Sequence, residues 1–583
     1  MTRTRAPATR SSPSPGADPV LLEVIRYRLE SIVEEMQWSL IRGSFSPVVK
    51  EALDASCSLF DAGGTVIAQS RSNPSHLGSL VFSVRSILAQ YPVASMEDGD
   101  VYIMNDPYLG GTHLPDIALV MPLVVDGRVV AMSASMAHQV DVGGIMAGSV
   151  PTHATEIFHE GLRLPALRLA HRGVVDDGLL RLIRQNVRLP DTLQGDLNAQ
   201  LAAGKIALRR LAETGVRYGW PQLTALFAEL LDRSEAMTRK ALAALPAGTY
   251  SYVDYLDNDG IDLDRRIRIE VAVTLDGKGN VTFDFEGTSA QVRGPLNIVP
   301  SGVHSAAFYG VRAITDPAIP TNGGCFRPVT VKLPPRSLVN PDAPAPVNGR
   351  TPVMKRIASC IVGALAQVLP ERFPAASAAS VLVLAFGGEW PADGPDGRDN
   401  RDRPGTPGAA SRPARRRFVV TDLINGGSGA ALGHDGIDGI ATDMTNGMSL
   451  TAEVLELEAP IRLLRCAIRA DSGGAGAFRG GCGLEREYLV LHGPVSISHR
   501  GERHYAQAPG LAGGGDGALA TSEILRVDGS IETVPSKGML VLQAGDRLRV
   551  STPGGGGYGP VAQRSADAIA EDRRSGKAGA GAG

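Results

Sequence analysis

The chain has 583 residues, enough for several hydrophobic cores, and its 58 Lys+Arg against 61 Asp+Glu leave a formal charge of −3. That balance excludes the basic footprint of a nucleic-acid binder and of a protein held on anionic membrane. With 69 glycines and 5% aromatics, the composition implies many turns and loops, and so a β-rich protein.

Residues 1–18 are basic but lack an apolar core segment, so they read as a disordered tail, not a secretory signal. Asp18 is placed to cap a helix with Pro19 at its first position, and apolar spacing of three and four carries that helix through Phe45. LDASCSLFDAGGTVIAQS then reads as strand, turn, strand. Within it, Asp61 to Thr65 matches the D-x-G-G-T phosphate loop of the actin and sugar-kinase fold. A turn at Gly63-Gly64 explains the same residues, and no second phosphate or adenosine motif follows in the order that fold needs. His76 comes next, in NPSHLGSL, just ahead of a predicted helix, VFSVRSILAQY.

Residues 105–141 carry the densest chemistry: NDPYLGGTHLPD, two apolar runs flanking Asp126-Gly127, then AHQVD. Asp-Gly between β-rich runs predicts a hairpin, because both turn residues adopt positive φ. A two-residue turn sets Val125 opposite Arg128 and Asp116 opposite Ala137, one position from His138. His113 sits in the loop leading into the first strand. His113, Asp116 and His138 then converge at one end of the hairpin, with Asp106 and Asp141 close by. Strict alternation sends Asp116 and His138 to opposite faces, so the strand must end, bend or bulge. Two imidazoles and a carboxylate suit Mn, Fe or Zn with coordination positions left open. The alternative is a set of ordinary hydrogen-bonding residues at a strand end. An Fe(II) oxygenase triad fits less well, since its usual spacing is His-x-Asp. Gly110-Gly111 allows close backbone approach.

NDPYLGGTHLPD followed by AHQVDVGG resembles the signature of the hydantoinase B/oxoprolinase family. That family includes B subunits of ATP-dependent N-methylhydantoinases, the C-terminal half of 5-oxoprolinases, and large subunits of acetone and acetophenone carboxylases. The resemblance extends over roughly residues 19–575, apart from 388–417. It implies a B-type subunit that opens a hydantoin- or lactam-like ring after an ATP-using A-type subunit has activated it. A divalent metal would be held by His113, Asp116 and His138, with ATP and Mg expected on the partner. Asp106, Asp141, Glu160 and His76 are the candidate catalytic groups, for proton transfer or support of the ligands. Glu160 lies in the EGLRLP stretch that matches the family best. His159 stands where the family commonly has another residue, so it is not counted as a ligand. Two alternatives stay open: a component of an ATP-dependent carboxylase acting on a ketone, and a non-catalytic scaffold. The resemblance also implies a hetero-oligomer.

Further along, residues 180–245 read as helical, with two long amphipathic segments whose surface from 195 to 245 is a candidate docking face for the A-type chain. GTYSYVDYLDNDG and IRIEVAVTLDGKGNVTFDFEGTS read as strands, and VMKRIASCIVGALAQVLP as a helix beginning at Thr351-Pro352. Residues 388–417 are Pro, Gly and charge without periodicity, predicting a disordered insertion. Gly427 to Ala431 stands where the family usually has G-H-G-A-R, and His434-Asp435-Gly436 is a partial replacement. Neither glycine-rich stretch is a G-x-G-x-x-G or a P-loop with its lysine. The stretches SHRGERHYAQAPGLAGGGDG and TPGGGGYGP read as β-hairpins. The five cysteines have no C-x-x-C spacing, which predicts reduced thiols and a cytoplasmic protein without disulfides. Cys325 reads as a small buried residue sooner than as a nucleophile. No apolar run reaches the roughly 18 residues of a membrane span. The expected class is α+β and multi-domain, with β-rich layers and packed helices. The predicted units are a metal-site domain at 19–245, an α+β domain at 246–387 and a glycine-rich, β-rich domain at 418–583.

Overall fold

The computed structural model describes residues 18–390 and 416–579. The tail expected at 1–18 and the insertion expected at 388–417 lie outside these residues except at their edges. At those edges Glu389 pairs with Arg417 across two antiparallel strands.

The fold is α+β, with mostly antiparallel sheets and helices packed on them. The N-terminal sheet joins β1 (Ala55–Asp61), β2 (Val66–Gln69), β3 (Val101–Met104), β4 (Asp116–Val125), β5 (Arg128–His138), β6 (Leu167–His171) and β7 (Val174–Val175) in the order β2-β1-β5-β4-β3-β6-β7. The helices around it are α1 (Pro19–Gly43), α2 (Pro47–Lys50), α3 (Pro74–Gln90), α4 (Asp177–Gln185), α5 (Pro190–Tyr218) and α6 (Trp220–Ala243). The central strands are buried on both faces, which explains why IALVMPLVV reads as a continuous apolar run and not an alternating one. On one face Cys57, Leu59 and Ala131 meet α1, α5 and α6. On the other, Phe60, Val120 and Met132 meet Leu80, Val84 and Ile87 of α3. The cap on α1 forms as expected, with Asp18 Oδ1 accepting from the Val20 N–H at 3.0 Å.

A second sheet holds β8 (Gly248–Leu256), β9 (Ile267–Leu275), β10 (Val281–Asp284) and β11 (Val329–Lys332), and packs on α7 (Pro300–Ile314) and α8 (Arg350–Ala366). The C-terminal half contributes β12 (Val381–Glu389), β13 (Arg417–Asn425), α9 (Ala452–Glu458), β14 (Ile461–Ile468), β15 (Leu484–Val490), β16 (Val495–Arg500), β17 (Thr521–Leu525), β18 (Ile531–Thr533), β19 (Lys537–Leu542), β20 (Arg547–Ser551) and α10 (Ala566–Arg574). These strands form sheets ordered β13-β12-β16-β19 and β14-β15-β20-β17-β18, with one shared core.

The hairpin expectation needs one correction. Asp126 and Gly127 take φ of 49° and 72°, as the turn requires, and Val125 pairs with Arg128. Val124 then pairs with Val129 but Leu123 with Ala131, leaving Val130 unpaired. This bulge shifts the register by one, so Asp116 faces His138 and not Ala137.

The terminal glycine-rich stretches also differ from expectation. β16 ends at Arg500 and β20 at Ser551, and beyond each the chain is irregular, not hairpin. These segments hydrogen-bond to one another and to residues near Ser428 and Gly481: the Gly481 N–H donates to Ser428 O at 2.8 Å, Gly555 to Gly481 O at 2.9 Å and Gly474 to Gly555 O at 2.8 Å. Backbone lies directly against backbone, and a Cβ on Gly427 would fall 1.8 Å from Gly481 O. Among the described residues no helix is long and apolar enough to cross a membrane.

Candidate metal centre

The bulge sets the geometry of the site. Asp116 begins β4, His138 ends β5, and a tight turn in which the Asp116 N–H donates to His113 O at 3.1 Å brings His113 alongside. Asp116 Oδ1 lies 3.0 Å from His113 Nε2 and 3.0 Å from His138 Nδ1, and the two nitrogens are 3.2 Å apart. One donor atom from each residue falls within 4.8 Å of the others. His113 Nδ1 faces Asn348 O at 3.3 Å, so a proton there leaves the Nε2 lone pair turned toward its neighbours. Burial, then the charge of Arg350, pushes the His113 pKa down to about 3, so this imidazole is neutral, as a ligand must be. Two imidazole nitrogens aimed at one carboxylate oxygen are a donor set that fits a divalent cation.

The second oxygen of Asp116 is held by protein. Arg350 and Thr112 both donate to Oδ2, and His76 Nε2 lies 3.4 Å away. Burial would raise the Asp116 pKa, but His113, Arg350 and His76 around it outweigh that and hold it well below the usual range. His76 belongs to the first turn of α3, which begins at Pro74 behind an Asn73 cap, two residues ahead of His76. Its Nε2 is also 3.5 Å from Asp54 Oδ1. Burial alone would lower the His76 pKa, but Asp116 and Asp54 raise it.

Sequence reasoning missed Asp54, Arg350 and Arg500. A signal for Asp54 existed in strand pairing: Ala55 lies opposite Ala137 across β1 and β5, which brings Asp54 to His138, and its Oδ2 is 4.0 Å from His138 Nδ1. The two arginines arrive from distant segments, α8 and the end of β16, and no local pattern announces them.

These residues line a cavity of about 60 Å³, on the order of two water volumes at roughly 30 Å³ each. A larger cavity, about 640 Å³, lies beside it and not at the triad. Thr445 lines both, and Pro74 of the larger adjoins Ser75 of the smaller. His434 lines the larger one, while Asp435 is taken by Arg564 at 2.9 Å.

Asp116 lies behind His113 and His138 and does not itself line the small cavity, and neither do three of the expected catalytic groups. Asp106 pairs with Arg163 Nε at 2.7 Å and accepts from the Tyr108 N–H. Asp141 ties its loop together, accepting from the Gly143 and Gly148 N–H groups and from Arg188. Glu160 stands behind the site. Its Oε1 accepts from Val347 and Asn348 N–H at 2.9 and 2.8 Å, and Asn348 O is the group facing His113. Its Oε2 has no partner, and burial pushes its pKa up to about 8. Gly110 and Gly111 serve loop packing, since a Cβ on Gly111 would meet Asn105 O at 2.5 Å. Cys325 is buried, its thiol on Pro320 O at 2.9 Å.

The profile described as Hydantoinase B/oxoprolinase matches residues 18–561. An uncharacterized protein of Methanocaldococcus jannaschii is 34% identical over 95% of this chain and 93% of its own. A Pseudomonas protein named as the B subunit of a D-/L-hydantoinase is 30% identical over 95% of this chain and 92% of its own. 5-Oxoprolinase 1 of Arabidopsis thaliana is 29% identical over 93% of this chain, which spans only 42% of that longer protein. Among solved structures, the ATP-dependent caprolactamase of Pseudomonas jessenii superposes with a TM-score of 0.85 at 29% identity, covering 97% of this chain and 95% of that one. Nucleotide-free acetone carboxylase gives the same TM-score at 19% identity, covering 96% of this chain and 78% of that one, and so shares the fold.

Proposed function

The chain belongs to the hydantoinase B/oxoprolinase family, and from that premise we propose that it is the B-type subunit of an ATP-dependent enzyme that opens a ring amide. The observation that carries this reading is the convergence of His113, Asp116 and His138 beside a cavity. A divalent ion there, Mn, Fe or Zn by its donors, would supply Lewis-acid polarisation of a substrate oxygen or an attacking water.

The chain's own residues supply the rest. His113 and His138 present ring nitrogens, and Asp116 presents one oxygen while Arg350 and Thr112 fix the other. His76 Nε2, between Asp54 and Asp116, is where a proton is held for the nitrogen that leaves as the ring C–N bond breaks. Glu160 and Asn348 act from behind, setting the carbonyl that orients His113. Asp106 and Asp141 maintain the loops on either side.

Activation by ATP is assigned to a separate A-type chain in a hetero-oligomer. The Pseudomonas relative is by its name one subunit of a larger hydantoinase, and a 5-oxoprolinase carries in one polypeptide more than twice the length matched here. The outward face of α5 and α6 is the proposed docking surface. A ring amide is favoured over a ketone because the relatives that share more sequence are named for hydantoin, oxoproline and caprolactam chemistry, while the acetone carboxylase likeness is one of fold.

The test is a preparation of this chain with an A-type hydantoinase chain from the same source. Hydantoin, 5-oxoproline and caprolactam are assayed for ATP-dependent opening, and acetone for bicarbonate-dependent consumption. Ring opening with about one divalent ion per B-type chain is expected. Acetone consumption without opening of any ring would replace this reading with carboxylation, and neither activity would favour the scaffold.

A further inference from the structure

Arg500 has no role in the ring-opening scheme. It is the last residue of β16, 4% exposed, and lines the small cavity with His113 and His138. A guanidinium carries five N–H donors. Here Nη1 donates to Asn348 O at 3.2 Å and Asn348 Oδ1 at 3.1 Å. Among the described residues neither Nε nor Nη2 has an acceptor, and no carboxylate pairs with this side chain. Arg350 shares the cavity wall at 3% exposed, with its Nε also unpartnered.

Two buried cations at one small cavity are costly unless an anion joins them. Asp116 answers Arg350. Glu160 is the carboxyl whose charge acts on Arg500, but its raised pKa of about 8 leaves it largely protonated at neutral pH. Burial, then Arg350, holds Arg500 down to about 10, still cationic at neutral pH. A divalent ion at the triad would add positive charge to the same wall. The cavity is on the scale of a small oxyanion and not of a ring, while the 640 Å³ space sharing Thr445 has room for a ring.

We propose that Arg500, with Arg350 beside it, is an oxyanion-binding site that takes the phosphoryl group of an ATP-activated substrate next to the metal centre. The planar fork of a guanidinium matches two phosphate oxygens at once, which an ammonium does not. A carboxylate or bicarbonate offers the same paired oxygens. This inference rests on the ATP-activated reading of the function.

The test uses the full-length protein, metal-free and Mn²⁺-loaded, with inorganic phosphate, bicarbonate or acetate at matched ionic strength. Phosphate is expected to raise the Tm saturably, as a ligand of the native state does, and to do so more than the other two. Arg500→Gln should abolish that shift, and Arg500→Lys should weaken the apparent Kd at least about tenfold. Should either variant fold poorly, ³¹P line broadening of phosphate by protein-bound Mn²⁺ in the wild type reads the same proximity without a substitution. No saturable response in the wild type, or an equal response in Arg500→Gln, would overturn the site. Preference for bicarbonate or acetate would overturn the phosphoryl assignment. A chain that binds phosphate through Arg500 but opens no ring amide with its partner sinks the ring-opening function and leaves this site standing. Ring opening by Arg500→Gln with unchanged kcat and KM sinks the site alone.

Discussion

Asp116 faces His138 directly across β4 and β5, and the pairing depends on Val130 being left unpaired at the far end of the same hairpin. Directly opposed residues share a face of the sheet, and a shift of one residue moves a side chain to the other face. The candidate metal site therefore depends on backbone geometry far from its three residues. His138→Ala is expected to weaken metal binding by more than about 100-fold, the upper end of what losing even a supporting group costs. Asp106→Asn, away from the cavity and paired with Arg163, should keep the wild-type metal content. Elemental analysis of the three dialysed proteins checks this; equal metal in wild type and His138→Ala would remove His138 from the ligand set.

Much of this was legible because it is local. Asp-Gly marks the hairpin, Asp18-Pro19 marks the start of α1, and the spacing of His113, Asp116 and His138 follows once the hairpin is drawn. Three kinds of information were not local. A bulge has no sequence mark here, because Val130 is one valine among several in an apolar run. Asp54 and Arg500 reach the cavity through pairings between distant segments, β1 with β5 and β12 with β16, and Arg350 arrives at the start of α8. Nor does sequence say what an acidic residue near the motif is bonded to: Asp106, Asp141 and Glu160 are each engaged by an arginine or by backbone N–H groups.

Glu160 makes a pH prediction. Its folded pKa, about 8, lies above its ordinary value of 4.5, so folding takes up a proton. The stability from that proton is fully present below about 4.5 and is lost as pH rises through 8, by an amount on the order of a few kcal/mol at most. Glu160→Gln keeps an acceptor for the Val347 and Asn348 N–H groups and cannot ionise. The variant, neutral at every pH, should match the wild type at about pH 5 and be the more stable of the two by about pH 9. Urea unfolding of both metal-free proteins across that range measures it, and a pH-independent gap would mean Glu160 is ionised in the fold.

The glycine-rich segments give a stability prediction that composition alone would miss. Glycine in a loop is ordinarily cheap to replace, and Gly433 has nothing within 4 Å of an added Cβ, although its φ is +87°. At Gly427 the Cβ would meet Gly481 O at 1.8 Å, and this neighbour is backbone within a bonded stack. Gly427→Ala is expected to cost more than about 3 kcal/mol, the range of severe packing defects. Gly433→Ala should cost about 1–2 kcal/mol, the left-handed backbone penalty. Similar losses at both positions, measured by denaturant unfolding, would mean that the stack yields.

The last prediction concerns ATP. The Asp61 to Thr65 loop is the part of this chain that imitates a phosphate cradle, and a cradle works by turning unpaired N–H groups toward the nucleotide. Here those donors are already used. Gly63 and Thr65 donate to Asp61 Oδ1 at 2.9 and 2.8 Å, and Gly64 donates to Asp61 O at 3.1 Å. The loop also lies on α3, since a Cβ on Gly64 would meet Leu88 at 2.8 Å. It closes the β1–β2 hairpin, with Asp61 the acceptor that makes the turn. Opening it to bind a nucleotide would sacrifice three hydrogen bonds, each worth about 0.5–1.5 kcal/mol. The isolated chain should therefore show no ATP hydrolysis above background, with or without a ring amide present. Asp61→Asn should lower stability slightly and leave ATP-dependent ring opening by the complex unchanged. Colorimetric phosphate release by the chain alone and by the complex, each with and without Asp61→Asn, provides the comparison. Turnover by the chain alone that vanishes in Asp61→Asn would make the loop a nucleotide site and dispense with the partner.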